Sequence, residues 1–132
     1  MREPVRDHGR LLHIMGAIDN ARTFMKGKTV EDLFSDRILF YAVVKNIEII
    51  GEAAYMLSKE FKDSHPQTEW PAIVAMRHSL VHGYYNVSEN EVWEVVCKDL
   101  IPLREQITVY LNEETPPACG HLPSSVEEFL EV

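Results

Sequence analysis

Residues 36–61 read DRILFYAVVKNIEIIGEAAYMLSKEF, and their pattern of apolar and polar residues indicates the fold class. Its apolar residues recur every three or four positions, which is the spacing of one face of an α-helix, and polar residues fall between them. The apolar set is Leu39, Val43, Ile47, Ile50, Ala54, Leu57 and Phe61. A single long central helix is therefore predicted over about residues 36–61.

Gly51 lies in the middle of this predicted helix, with Ala53 and Ala54 close by. Glycine in a helix interior costs about 1 kcal/mol relative to alanine, so a glycine at this position needs a reason. The two candidate reasons are a close crossing with another helix and a nearby ligand. Of the two, we expect the helix crossing.

The segments on both sides of the central stretch also have a helical period. A first helix is predicted over residues 5–25, with an inward face formed by Leu11, Ile14, Met15, Ile18, Ala21 and Met25. A short helical turn is predicted after Thr29-Val-Glu-Asp32, which approximates a capping box. A third helix is predicted from Trp70 to about Val81, because Pro71 suits a first helical turn.

A fourth helix is predicted after the capping box Ser88-Glu-Asn-Glu91, with a kink at Pro102 and inward residues at Val92, Val95, Val96, Leu103, Ile107 and Leu111. No segment alternates like a strand for long. The expected fold is all-α, an up-and-down bundle of four main helices with short extra helices. Residues 1–112 form the expected domain, and residues 113–132 an acidic C-terminal extension with a possible short helix after Ser125.

The length, net charge and cysteine count of the chain limit the classes of protein to which it can belong. The chain has 132 residues, enough for one domain, and a formal charge of −8. This overall negative charge disfavours a general nucleic-acid coat, so any RNA contact would be local. Five glutamates in residues 113–132 carry most of the charge. Cys97 and Cys119 are too few for a disulfide scaffold. Because no early apolar stretch has the form of a signal peptide either, we expect a cytoplasmic protein, with Cys97 in the core. No apolar run is long enough to span a membrane.

Residues 77–84 read RHSLVHGY and hold the densest cluster of reactive side chains. Arg77 offers a fixed cation with a bidentate fork for phosphate, and His82 can exchange a proton near neutral pH. These are the groups needed to cleave RNA without a metal, because a base must deprotonate the ribose 2′-OH and a cation must stabilise the phosphorane. An ideal helix places Arg77 and His82 140° apart, so an unwinding near Gly83 would help them meet.

Other interpretations of the same residues stay open. A histidine at a helix C-terminus often only stabilises the helix dipole, and Tyr84 and Tyr85 fit core packing. His78 and His82, at i and i+4, could be two zinc ligands, but the possible further ligands, His65, Glu69 and Cys97, are unconvincing. No cofactor is predicted.

Arg77, four residues, His82, one residue and Tyr84 reproduce the R-x-x-x-x-H-x-Y motif, and the chain here resembles the HepT-like toxins, a branch of the HEPN ribonuclease superfamily. The resemblance extends to Ile50-Gly-Glu-Ala53, which looks like the family's Gly-Glu-Ala stretch, and covers roughly residues 5–112. It implies a HEPN-type helical bundle that forms a homodimer and cuts RNA without metal. It also implies a MntA-like nucleotidyltransferase antitoxin as the partner.

Carried over from this resemblance, Arg77 and His82 are the catalytic pair and His78 is a supporting polar residue. Tyr84 is the tyrosine that the antitoxin modifies with AMP. Glu52 lies in a matching segment without an assigned role. The alternative is a non-catalytic helical module that dimerises and binds a nucleotidyltransferase or a nucleotide. The overall negative charge favours that alternative slightly, since RNA affinity depends on cations.

Overall fold

The computed structural model describes the backbone of residues 2–82 and 88–114 and the side chains of residues 6–79 and 88–113. Within these ranges the chain forms helices and connecting turns, without a strand, which confirms the all-α prediction. The helices are α1 (Arg2–Met25), α2 (Val30–Ser35), α3 (Arg37–Met56), α4 (Lys59–Ser64), α5 (Trp70–His82), α6 (Glu89–Glu94) and α7 (Leu100–Glu114).

Helix α3 is the centre of the bundle. It packs against α1 on one side and α5 on the other, while α7 packs against α1. All seven apolar residues of the predicted central stretch are buried, and so are five of the six on α1, with Met15 partly buried. Sequence periodicity therefore identified the core faces correctly. No helix in the described part of the chain is both long enough and apolar enough to cross a bilayer.

The predicted central helix is wrong at its C-terminal end, because α3 stops at Met56 and a separate helix follows. Leu57 and Ser58 are extended, and the hydroxyl of Ser58 caps α4 by accepting from the backbone N–H of Phe61 at 3.1 Å. The break is fixed by Asp7 of α1. Its two carboxylate oxygens accept from the Ser58 backbone N–H at 2.8 Å and from the Ser58 hydroxyl at 2.6 Å.

Asp7→Ala is expected to destabilise the fold by about 2–3 kcal/mol, because Asp7 is only 5% exposed and its loss leaves two half-buried donors of Ser58 unpaired. The matched control is Asp32→Ala, which removes a carboxylate that accepts from the backbone N–H of Thr29 at 2.8 Å in an exposed cap. This control should cost about 1 kcal/mol or less. Urea unfolding measures both changes, and equal losses would contradict the role of Asp7.

The predicted fourth helix is divided by a π-helical turn over Val95–Asp99, between α6 and α7. Within it, the Leu100 backbone N–H donates to the Val95 carbonyl, five residues back. Pro102 lacks an N–H and so cannot continue the regular bonding pattern, which accounts for an interruption close to it. The capping box at Ser88–Glu91 is confirmed, as is the one at Thr29–Asp32.

The π turn also makes the expected position of Cys97 wrong. A wider turn keeps Val92, Val96 and Leu100 on the inward face, and Cys97 is thereby exposed. Desolvation and the nearby Glu94 raise the pKa of the Cys97 thiol, so the reactive thiolate is disfavoured. The remaining predictions for the extension, including a helix after Ser125, concern residues outside the described part.

Candidate functional site

Arg77 lies where α5 crosses α3 at Gly51. An added Cβ on Gly51 would overlap the Cβ of Arg77 and lie 3.0 Å from its Cγ and 3.2 Å from its Cα. The two helices can therefore approach this closely only because residue 51 has no side chain. This confirms the close helix crossing as the reason for Gly51. The crossing also holds the Cβ of Arg77 against α3.

The next residue along α3, Glu52, holds the other end of Arg77. Its Oε1 lies 2.9 Å from Nη2 of the guanidinium. Because Glu52 is exposed and Arg77 is only partly buried, the pair adds little to stability, and its main effect is to orient the guanidinium. The sequence assigned no role to Glu52. The structure makes it the carboxylate partner of the predicted catalytic arginine.

Arg77 and Glu52 line a groove of about 270 Å³ over α3. The other described residues that line it are His13, Lys45, Glu48, Ile49 and Ala53. Two cations face two carboxylates there, so the local charge is balanced although the whole chain carries −8. His13, contributed by α1, was not predicted, because its partners in the groove are distant in sequence.

The second half of the motif is only partly described. Helix α5 continues to His82, which places this residue about 1.4 turns beyond Arg77 along the same helix. His78 is exposed on α5, directly after Arg77. The side chain of His82, and Gly83, Tyr84 and Tyr85 in full, lie outside the described residues, as does the predicted unwinding near Gly83.

One possible further zinc ligand, His65, is held by contacts with Phe61 and Glu113. His65 has both ring nitrogens engaged: Nδ1 lies 2.9 Å from the Phe61 carbonyl, and Nε2 lies 3.0 Å from the Glu113 carboxylate. Its ring also stacks on Phe61. These contacts give His65 a structural role. Among the described side chains, no group of three or more His, Cys, Asp or Glu residues is arranged to hold a metal ion.

Comparison with known proteins assigns the chain to a family. The model of the family described as "Ribonuclease HepT-like" matches residues 14–109, from the middle of α1 to the middle of α7. The chain belongs to the HepT-like ribonuclease family. The matched segment of this HepT-like chain includes Gly51, Glu52, Arg77 and His82, and ends before the acidic extension.

Three relatives show how similar the chain is to named proteins. It is 36% identical to a protein of Caldanaerobacter subterraneus subsp. tengcongensis named "Putative RNase", over 79% of this chain and 93% of that one. It is 33% identical to the "Probable ribonuclease HepT" of Thermococcus cleftensis, over 69% and 83%. A third match, at 36% over 86% of this chain, covers half of a Methanocaldococcus jannaschii protein named "Gamma-glutamylcyclotransferase and putative RNase". No solved structure matches the chain.

Proposed function

We propose that this HepT-like chain is a metal-independent endoribonuclease and the toxin of a toxin–antitoxin pair in the cytoplasm. The observation that carries the proposal is the anchoring of Arg77, which lies on the same helix as His82. Its Cβ packs against Gly51, and Glu52 orients its guanidinium. A guanidinium fixed at both ends beside a groove is suited to hold a phosphate, because little side-chain freedom is lost on binding.

In the proposed reaction, the ribose 2′-oxygen attacks the adjacent phosphorus as His82 takes the 2′-hydroxyl proton. A 2′-O–P bond forms, the P–O5′ bond breaks, and the leaving 5′-oxygen takes up a proton. Arg77 stabilises the negative charge of the phosphorane through its two parallel N–H donors. The products are a 2′,3′-cyclic phosphate and a 5′-hydroxyl, and His78 supports the site from the position after Arg77.

The test is RNA cleavage by the full chain in EDTA, followed by analysis of the 3′ ends. Wild-type protein is expected to leave 2′,3′-cyclic phosphates, and His82→Ala to cleave about a hundredfold or more slowly, since general-base catalysis contributes at least that factor. Equal rates for the two proteins, or no cleavage by either, would contradict the nuclease. Loss of activity in EDTA would instead support the zinc interpretation of His78 and His82.

The non-catalytic alternative predicts a folded chain that binds a nucleotidyltransferase or a nucleotide but cleaves no RNA. Its main support in the sequence was the overall negative charge. That support is weaker at the groove, where the charges of the described lining residues are balanced. The same cleavage assay separates the two functions.

We further propose that a MntA-like nucleotidyltransferase neutralises the toxin by adding AMP to Tyr84. The Tyr84 oxygen would attack the α-phosphorus of ATP and release pyrophosphate. The added nucleotide places bulk and negative charge two residues from His82, where it would repel an RNA backbone.

Tyr84→Phe is expected to abolish AMP incorporation by the nucleotidyltransferase, because the attacking hydroxyl is gone. Tyr85→Phe is the matched control and should be labelled like the wild type. Labelling is followed by mass spectrometry after incubation with the partner and ATP. Undiminished incorporation into Tyr84→Phe would contradict the assignment.

A further inference from the structure

A groove of about 890 Å³ lies where the end of α3, helix α4 and the start of α5 meet, and we call it the α4–α5 groove. Apolar side chains that are exposed or partly exposed form much of its wall. They are Tyr55, Pro66, Pro71, Ala72 and Val74. An apolar groove of this size is suited to receive the apolar side chains of another segment.

Charged side chains also line the α4–α5 groove, and two of them are lysines. Lys59 Nζ lies 2.7 Å from the carboxylate of Asp63, and Lys62 Nζ donates to the Tyr55 carbonyl at 3.3 Å. An ammonium group has three N–H donors, so both lysines can still bind a further acceptor. The contact of Lys62 with a neutral carbonyl does not cancel its charge. The groove therefore fits a ligand that combines apolar side chains with carboxylates.

The C-terminal extension of this chain has that composition. Residues 115–132 contain Glu127, Glu128 and Glu131 but no Lys or Arg. Their apolar residues Val126, Phe129 and Leu130 have the i, i+3, i+4 spacing of a helix that binds in a groove. The extension lies beyond the family match at residues 14–109, so the family assigns it no role.

The extension also leaves the helical bundle beside this groove. The carboxylate of Glu113, near the end of α7, lies 3.0 Å from Nε2 of His65, and the next residue, Pro66, lines the groove. Residues 115–125 can span about 35 Å when extended, which is enough to bring Val126 to a groove that begins at Pro66. Since both parts belong to one chain, their effective concentration is high and a weak contact is sufficient.

A second groove, of about 450 Å³, meets the first at Thr68, Glu69 and Ala72 but has the wrong charge for this segment. It lies between α5, the π turn and the start of α7. Its charged lining residues in the described part of the chain are Glu69 and Asp99, without a lysine or arginine. These carboxylates would repel the glutamates of the extension, which favours the α4–α5 groove.

We infer that residues 126–132 dock in the α4–α5 groove of the same chain. Their apolar face lies against Tyr55 and Val74, and their glutamates lie near Lys59 and Lys62. The docking buries apolar surface that the groove and the extension otherwise leave in water, and it brings carboxylates to ammonium groups that have free donors.

The docked segment lies beside the candidate site. Tyr55 follows Glu52 by three residues on α3, and Val74 precedes Arg77 by three residues on α5, so the two grooves are about one helical turn apart. Glutamates at this distance repel a nucleic-acid backbone that approaches Arg77. The extension therefore lowers the affinity for RNA. This consequence rests on the proposed function, whereas the docking itself does not.

The first experiment couples lysine amines to carboxylates in the full chain without RNA, using a carbodiimide that leaves no spacer. Mass spectrometry is expected to find Lys59 or Lys62 linked to the glutamates of residues 127–131. The Lys59–Asp63 pair, at 2.7 Å, is the internal positive control. Lys98, exposed on the π turn, is the matched lysine and should couple to the extension about tenfold less. Equal coupling to Lys98, or no coupling to Lys59 and Lys62, would overturn the inference.

The same experiment distinguishes docking within one chain from docking on a second copy. Chains of natural isotopic composition are mixed with chains labelled with heavy nitrogen before the coupling. Links within one chain join two peptides of the same label, which is the expected result. Links found only between peptides of different label would overturn docking in the same chain.

The second experiment changes the apolar face of the extension and leaves its charge intact. The double variant F129S/L130S should lower the yield of these cross-links about tenfold or more, because the apolar contact is lost. The matched control is Leu122→Ser, which removes an apolar side chain between α7 and the docking segment and should leave the yield unchanged. Undiminished cross-linking in F129S/L130S would contradict the docking.

The effect on RNA is measured with an oligonucleotide of 2′-O-methyl riboses, which lacks the attacking hydroxyl and cannot be cleaved. F129S/L130S is expected to bind it about threefold to tenfold more tightly than the wild type, because the glutamates no longer lie beside Arg77. Equal affinity would contradict the effect on RNA. Because the cross-links are measured without RNA, a chain that forms them but cleaves no RNA contradicts the proposed nuclease and supports the docking.

Discussion

Arg77→Ala is expected to lower the rate of RNA cleavage about a hundredfold to a thousandfold, the usual cost of removing one donor that stabilises a developing charge. The physical reason is that the guanidinium, held at 2.9 Å by Glu52, is the only cation of the motif that keeps its charge at every working pH. Cleavage of a short RNA under single-turnover conditions measures the change in the chemical step.

Two further variants separate the charge of Arg77 from its geometry. Arg77→Lys keeps the cation and the first side-chain carbons but loses the two-pronged donor, so an intermediate loss of about tenfold or more is expected. Glu52→Gln keeps a similar shape and removes only the orienting carboxylate, which should lower kcat without raising KM. Wild-type cleavage by Arg77→Ala, with the fold intact by circular dichroism, would remove Arg77 from the mechanism.

Gly51→Ala is expected to destabilise the protein by about 1–3 kcal/mol and to lower cleavage as well. Alanine normally stabilises a helix relative to glycine, so the sign is reversed at this position by the overlap of the new Cβ with Arg77. Relief of that overlap requires α3 and α5 to move apart, which displaces the arginine from its groove. Thermal or urea unfolding gives the stability, and the RNA assay gives the activity.

Gly16→Ala is the matched control for this prediction. Gly16 is exposed on α1, and a Cβ added there meets nothing within 4 Å. This substitution should stabilise the protein by about 0.5–1 kcal/mol and leave cleavage unchanged. Stabilisation by both substitutions would show that the crossing at Gly51 has room for a side chain, and would contradict the anchoring of Arg77.

The core faces and most helix boundaries were predictable because they depend on local periodicity and caps. The end of α3 was not, since the apolar spacing continues unbroken through Leu57 to Phe61. What ends the helix is a pair of hydrogen bonds to Asp7, a residue 51 positions earlier. Cys97 was misplaced for a related reason, because the π turn before Pro102 shifts the inward face.

The candidate site was predictable to a similar extent. The types and spacing of Arg77 and His82 were enough to propose their chemistry, and Gly51 signalled a close crossing without identifying what crosses it. Glu52 as the partner of Arg77 and His13 as a lining residue depend on how α1, α3 and α5 pack. No one-dimensional pattern contains that information.

The close packing of the Arg77 Cβ against Gly51 determines how the activity of the protein responds to salt. Raising the ionic strength screens the attraction between the exposed Glu52 and the guanidinium, but it does not affect a steric fit between Cβ and backbone. The tip of the side chain would then rotate about its outer torsions while its base stays in place. Activity lost at high salt should therefore return at once on dilution, because the contact between the Arg77 Cβ and the Gly51 backbone is unchanged.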